Sequence, residues 1–377
     1  MLLLKHMLMP LSCSAILLTG GLVMVGAACA DESKKTNLAT TNTTVENTTV
    51  EAPIYGPRLE GFDYPFAIKT FVLESQQQKV EMVYMDVHPK KANGRTLLLM
   101  HGKNFCAATW EETIKKMVAK GYRVVAVDQV GFCKSSKPAH YQFSFQQLAR
   151  NTHAFLEAIG VQKVTVLGHS MGGMLATRFA LLYPLQTEQL VMVNPIGLED
   201  WKALGVPYRS VDEWYARDLK TSAEGIRNYQ LNTYYAGQWH PAFDRWVQMQ
   251  AGMYLGAGRE QVAWNSALTA DMIMTQPVVY EFAQLPMPVL LLIGQLDNTA
   301  LGKDAAPPAL QKQLGNYPTL GRAAAKQIPN ATLVEFEDLG HSPQIQAPDR
   351  FHAALLKGLA KGLAEGLIKD KKQQARE

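Results

Sequence analysis

The run Val164-Thr165-Val166-Leu167-Gly168-His169-Ser170-Met171-Gly172-Gly173-Met174-Leu175-Ala176 decides how this chain folds. Its first four residues are apolar or β-branched and read as a buried strand. Met174 to Ala180 are mostly good helix formers. Between strand and helix lies the pattern G-x-S-x-G, with Ser170 at its centre. A strand that turns directly into a helix strains the residue at the tip of the turn. Bulky neighbours two positions to either side would clash, which is the physical reason for Gly168 and Gly172. Gly173 lets the new helix lie close to the strand. The serine hydroxyl is thereby presented at the carboxyl end of the strand.

The same alternation continues on both sides. Phe71-Val72-Leu73 and Val80 to Val87 flank a polar, Gln-rich turn and read as a hairpin. Thr96 to Met100 is an unbroken apolar run, as expected for a strand covered on both faces. A helix is expected from Thr109 to Lys120, a strand over Arg123–Val127, and a helix over Phe145–Ile159 capped by Ser144. Gln189 to Val193 reads as a further strand. The rhythm then breaks. Residues 198–285 have helical periodicity and hold Trp201, Trp214, Trp239, Trp246 and Trp264, five of the six tryptophans. Strands resume at Pro288–Ile293 and Thr332–Phe336. This pattern predicts an α/β fold with a mostly parallel central sheet and helices on both faces. The expected organisation is a core over 53–197 and 286–368, interrupted by a helical cap over 198–285. Most of the cap's aromatic residues are expected to fill its own core.

A serine hydroxyl is a poor nucleophile at neutral pH. It needs a base within hydrogen-bond reach, and the base needs a group to hold its tautomer. Gly294-Gln295-Leu296-Asp297 puts a carboxylate just past one strand, and Gly340-His341 puts an imidazole just past the next. Nine histidines compete for the role of base. His169 adjoins the serine, but neighbouring residues on so tight a turn point apart. His101 ends a strand at the same sheet edge and is expected to brace the following loop. His140, His153, His240 and His352 lack a strand-end position. Among the acids, Asp338 lies too close in sequence to His341, and Glu199 and Asp200 are the alternatives to Asp297. The expected catalytic set is therefore Ser170, Asp297 and His341. The backbone N–H groups of Met171 and Lys103 would bind the oxyanion, and Gly102 would leave room for the substrate carbonyl. No metal-ligand spacing appears, and neither a metal nor a cofactor is expected.

The chain's ends and composition set the context. Lys5, an apolar stretch and Ala28-Cys29-Ala30 read as a secretory signal cleaved after Ala30. Other readings are a membrane anchor and a lipoprotein lipidated on Cys29. Residues 31–52 are Thr/Asn-rich and read as a flexible linker, and residues 369–377 as a charged tail. The mature protein would be periplasmic or secreted, with no stable membrane span. Cys106 and Cys133 both follow predicted strands. If those strands are neighbours, the loops lie side by side and a disulfide is expected in an oxidising compartment. The other reading is two buried free thiols. A net charge of +4 argues neither for nor against a nucleic-acid partner, but no basic run with interleaved aromatics supports one, and none is expected.

Taken together, the chain resembles the α/β-hydrolase superfamily in its capped, esterase-like branch. The resemblance is carried by His101-Gly102, Asp128-Gln129-Val130-Gly131, Gly168–Gly172, Gly294–Asp297 and Gly340-His341, and spans residues 65–365. It implies a serine hydrolase acting on a small-molecule ester through an acyl-enzyme. One departure is Cys133, where the family often has a second glycine after Asp128; the disulfide would account for it. Relatives with an aspartate nucleophile, the haloalkane dehalogenases and epoxide hydrolases, are disfavoured by Ser170. Acyltransferases, carbon–carbon bond hydrolases and iminopeptidase-like amidases share the serine triad and stay open. So does a non-catalytic protein that binds a small ligand in the capped pocket.

Overall fold

Leu97 and Leu99 face one side of their strand and Leu98 and Met100 the other, and all four are fully buried. A strand apolar on both faces needs cover on both, and that demand organises the whole fold. The computed structural model describes residues 52–374. The expected leader, Cys29, all but the last residue of the linker, and residues 375–377 lie outside the described residues.

Eight strands form one sheet: β1 (Ile68–Ser75), β2 (Gln78–Val87), β3 (Thr96–Met100), β4 (Arg123–Val127), β5 (Val164–His169), β6 (Thr187–Val193), β7 (Val289–Gly294) and β8 (Ala331–Phe336). Their order is β1-β2-β4-β3-β5-β6-β7-β8. β2 pairs antiparallel with β1 and β4, and every other pairing is parallel. Helices α1 (Glu111–Ala119), α2 (Phe145–Ala158) and α3 (Met171–Leu182) connect the central strands. Between β6 and β7 lie α4 (Val211–Asp218), α5 (Ala223–Tyr229), α6 (Asp244–Leu255) and α7 (Arg259–Thr275). After β7 come α8 (Pro308–Gln311) and α9 (Tyr317–Gln327), and after β8 come α10 (Pro343–Gln346) and α11 (Pro348–Gln374).

Ile114 of α1 and Phe351 and Leu355 of α11 cover the face of Leu97 and Leu99. Phe155 of α2, Phe179 of α3 and Ala324 of α9 cover the face of Leu98 and Met100. The connections run outward in opposite directions from β3, to β4 on one side and β5 on the other. The crevice at the carboxyl ends of β3 and β5 is thus the point where an open parallel sheet binds ligands.

The elements differ from the sequence expectation at their edges. The helix expected from Thr109 begins as a 3-10 turn, Ala107–Trp110, before α1 proper. The last helix continues through Gln374, into the stretch expected as a tail. Lys and Gln dominate that stretch and are good helix formers, so charge alone does not end the helix. Among the described residues, no helix is long and apolar enough to cross a membrane.

His352 sits between α11 and α1, 1% exposed, with Nε2 2.9 Å from the Thr113 hydroxyl. Burial, aided by Lys116, lowers its pKa to about 4. A base whose pKa is depressed by folding binds protons more readily when unfolded. Its neutral form therefore contributes full stability above the ordinary histidine range, and this is lost as pH falls from about 6.5 towards 4. The expected share is about 2 kcal/mol between pH 7 and pH 4.5. Urea unfolding at both pH values should show His352→Gln losing less stability on acidification than the parent chain.

Candidate active site

Ser170 adopts φ 56° and ψ −122°, a conformation costly for any residue with a Cβ. The surrounding backbone imposes it. The Ser170 N–H donates to the Val193 carbonyl, and its own carbonyl accepts from the amides of Gly173 and Ile196. A Cβ on Gly168 would stand 2.0 Å from the Gly172 carbonyl oxygen, and one on Gly172 2.3 Å from that of Met100. The turn therefore tolerates only hydrogen at both places. A Cβ on Gly102 would lie 3.0 Å from both Ser170 Cβ and His169 Nδ1, so the loop after β3 passes directly against the serine.

Asp297 follows β7 and His341 follows β8, and both side chains are fully buried. His341 Nδ1 donates to Asp297 Oδ2 over 2.6 Å. With that proton on Nδ1, a neutral ring keeps its lone pair on Nε2. Nε2 is buried and has no hydrogen-bond partner among the described residues. The carboxylate is held from every side. Asn194 Nδ2 donates to the same Oδ2 at 2.9 Å, while the Thr299 amide and hydroxyl donate to Oδ1 at 2.9 and 2.7 Å. Asn194, at φ 37°, also accepts from the Gly294 amide through Oδ1. Sequence reading missed Asn194 and Thr299. The signal for the first was an asparagine straight after a strand, a residue that accepts left-handed backbone.

The other histidines are supports. His169 Nε2 donates to the His341 carbonyl at 2.9 Å, and Phe105 stacks on its ring. Burial, and then proximity to His341, holds its pKa well below the ordinary value, consistent with a neutral donor. His101 Nδ1 donates to the Gly102 carbonyl and its Nε2 accepts from the Gln129 amide, so it ties the loop after β3 to the loop after β4. Burial lowers its pKa as well. Of the alternative acids, Glu199 accepts from the Gly315 amide, Asp200 from Tyr280, and Asp338 pairs with Arg350 at the surface. None of them bonds to His341.

The N–H groups of Lys103 and Met171 have no acceptor among the described residues. Ser170, Lys103 and Asn104 line a cavity of about 750 Å³, whose far wall is built from α4, α5 and α7. Of the five tryptophans of the inserted segment, only Trp214 lines it. The π-helical turn Gln230–Tyr234 holds the loop of His341: the Thr233 and Tyr234 carbonyls accept from the amides of His341 and Ser342. Ser170 Oγ and His341 Nε2 are not hydrogen-bonded to each other. Such contacts often tighten only once substrate is bound.

Cys106 and Cys133 form a disulfide. It joins the loop that carries Lys103 to the loop that begins at Asp128. Asp128 reinforces the join, accepting from the Ala107 amide, the Lys134 amide and Tyr64. Cys133 has φ 45°, the backbone region glycine favours, so the position where the resemblance expected glycine keeps that conformation. The two sulfur atoms and a carboxylate oxygen of Asp128 lie within 4.8 Å of one another, but the sulfurs are spent on their mutual bond.

The sequence profile of the family described as alpha/beta hydrolase fold matches residues 95–348. The chain belongs to this family. Among solved structures, a probable hydrolytic enzyme from Pseudomonas aeruginosa is 73% identical, with a TM-score of 0.81 over 82% of this chain and 99% of that one. Two curated relatives match over a narrower stretch. A 2-hydroxy-6-oxo-6-phenylhexa-2,4-dienoate hydrolase of Burkholderia cepacia is 34% identical over 108 residues, 28% of this chain and 38% of that protein. A 2-hydroxy-6-oxononadienedioate/2-hydroxy-6-oxononatrienedioate hydrolase of Comamonas testosteroni is 31% identical over 121 residues, 31% of this chain and 42% of that protein. The chain thus matches less than half the length of either.

The disulfide closes a loop with a sequence separation of 27. Chain entropy gives it a stabilisation of about 3.5 kcal/mol. A Cys106→Ser/Cys133→Ser double variant should therefore unfold at a clearly lower urea concentration than the oxidised parent. An unchanged midpoint would count against the constraint.

Proposed function

We propose that the protein is an exported serine hydrolase that cleaves carboxylic esters, with Ser170 as nucleophile, His341 as base and Asp297 as its orienting acid. The observation that carries this reading is a buried imidazole held by a carboxylate, its Nε2 unpaired, together with a serine in a strained turn whose neighbour His169 bonds to the His341 carbonyl. His341 Nε2 takes the Ser170 proton as Oγ attacks the ester carbonyl. The tetrahedral oxyanion is bound by the N–H groups of Lys103 and Met171, which have no other acceptor. The proton then passes from His341 to the departing alkoxide as the carbon–oxygen bond breaks, leaving an acyl-serine. Water attacks next, gives its proton to His341, and the acid leaves as Ser170 Oγ is reprotonated. Asp297 keeps the imidazolium in register and does not itself take the proton.

Residues 198–285 serve as a cap that excludes water from the cavity. The disulfide suits an oxidising compartment, in keeping with the leader read from the sequence. The relative from Burkholderia is named for a dienoate and that from Comamonas for a dienedioate and a trienedioate, names in which no ester appears. They favour a second reading, hydrolysis of a carbon–carbon bond beside a ketone on the same triad. Comparing products from an ester and from a matched β-diketone separates the two.

Ser170→Ala should lower kcat on short p-nitrophenyl esters by about 10⁶-fold and abolish labelling by a fluorophosphonate. Retained turnover would sink the assignment. Asn194→Ala removes a donor to Asp297 and leaves the carboxylate freer to turn. A loss of about 10- to 100-fold in kcat with little change in KM is expected from initial rates, the scale typical of supporting hydrogen bonds.

A further inference from the structure

A second, smaller cavity of about 40 Å³ shares Lys103, Asn104 and Gln250 with the main one. Its wall also includes Lys137, Ser266, Tyr254 and the disulfide. The volume exceeds the ~10–15 Å³ a cavity needs to hold one water molecule and is a small fraction of the main cavity, so it suits a small polar head. Two amines border it and no carboxylate does. Lys103 Nζ donates to Ser266 Oγ at 2.5 Å, and Lys137 Nζ to the Cys133 carbonyl at 2.5 Å. Among the described residues, neither amine forms an ion pair.

Buried ammonium groups without a counter-ion are expensive. Burial lowers the pKa of Lys103, with Asp218 partly offsetting it, and lowers that of Lys137 to about 7, with Asp128 partly offsetting it. An anion placed between the amines would offset this cost. It would also be tethered beside Ser170, because the Lys103 backbone is part of the loop that passes against the serine.

We propose that the small cavity is a carboxylate subsite, and that the substrate is an acyl compound bearing a second, free carboxylate, such as the monoester of a dicarboxylic acid. Lys103 and Ser266 grip that carboxylate, and Lys137, which also lines the cavity, supplies further positive charge. The proposal rests on the acyl-hydrolysis reading above and deepens it by naming a substrate class. A neutral ester leaves the cost of burying the two amines offset only in part, by Asp218 and Asp128, and is the poorer ligand.

The test uses monomethyl glutarate and its neutral counterpart, methyl pentanoate. Calorimetry on the full chain carrying Ser170→Ala measures binding without turnover. The anionic ester should bind at least tenfold more tightly than the neutral one. Adding Lys103→Met should reduce that ratio to about twofold or less. Ser266→Asp keeps the lysine but gives it an internal carboxylate, and should collapse the ratio in the same way, so the result does not depend on one variant folding. Kinetics on the parent chain should show the same preference in kcat/KM, carried by KM. Equal binding of the two esters, or a ratio that survives both substitutions, overturns the subsite. If neither ester is turned over in a Ser170-dependent manner, the hydrolytic reading fails instead, while calorimetry still decides whether the anion is held.

Discussion

The loop after β3 and the turn after β5 approach so closely that neither could carry a side chain at the contact. A Cβ on Gly172 would overlap the Met100 carbonyl, and one on Gly102 would press on Ser170 itself. The rest of the site follows from this contact. It holds the turn that carries Ser170 against the loop after β3, at the cavity wall. It also brings the loop that carries Lys103 against the turn that carries Met171. The contact is possible because β3 and β5 are paired, parallel neighbours, in register from Leu97 against Thr165 to Met100 against Gly168. Sheet register is thus converted directly into the geometry of a reactive side chain.

The remaining parts are braces against that arrangement. His101 joins the loops after β3 and β4 from within, while the disulfide joins them covalently. His169 holds the His341 carbonyl, and Asn194 and Thr299 fix the carboxylate. Most of these bonds link residues on different strand-end loops. A parallel sheet places all such loops at one edge, so a network assembled from distant segments needs no unusual backbone beyond a few left-handed residues.

Much of this was legible in the sequence, and the limits have physical causes. Apolar runs such as Leu97–Met100 located the strands because a strand buried on both faces has no polar alternation to blur it. His341 stood out through a Gly-His pair just past the last strand. Thr299, only two residues from Asp297, shows no pattern of its own, and Asn194 is silent because its role depends on Asp297, 103 residues away along the chain. Pairing of that kind is decided by the completed sheet. The Lys103 side chain was equally silent, since its surroundings are supplied by α7, 163 residues away. The helical end of α11 was missed for a local reason: charge-rich sequence reads as solvated, yet lysine and glutamine propagate a helix that packing has already nucleated.

The π-helical turn at Gln230–Tyr234 has a consequence for modularity. Its carbonyls accept from the backbone of His341 and Ser342, and a Cβ on Gly340 would stand 2.6 Å from the Tyr234 oxygen. The inserted helices are therefore not a detachable cassette. A chimaera that exchanged them for those of another hydrolase would have to bring two carbonyls to the same place, or the loop holding the imidazole would lose its anchor. Side chains of α4, α5 and α7 line the cavity and are free of that tie, so the wall can vary where the turn cannot.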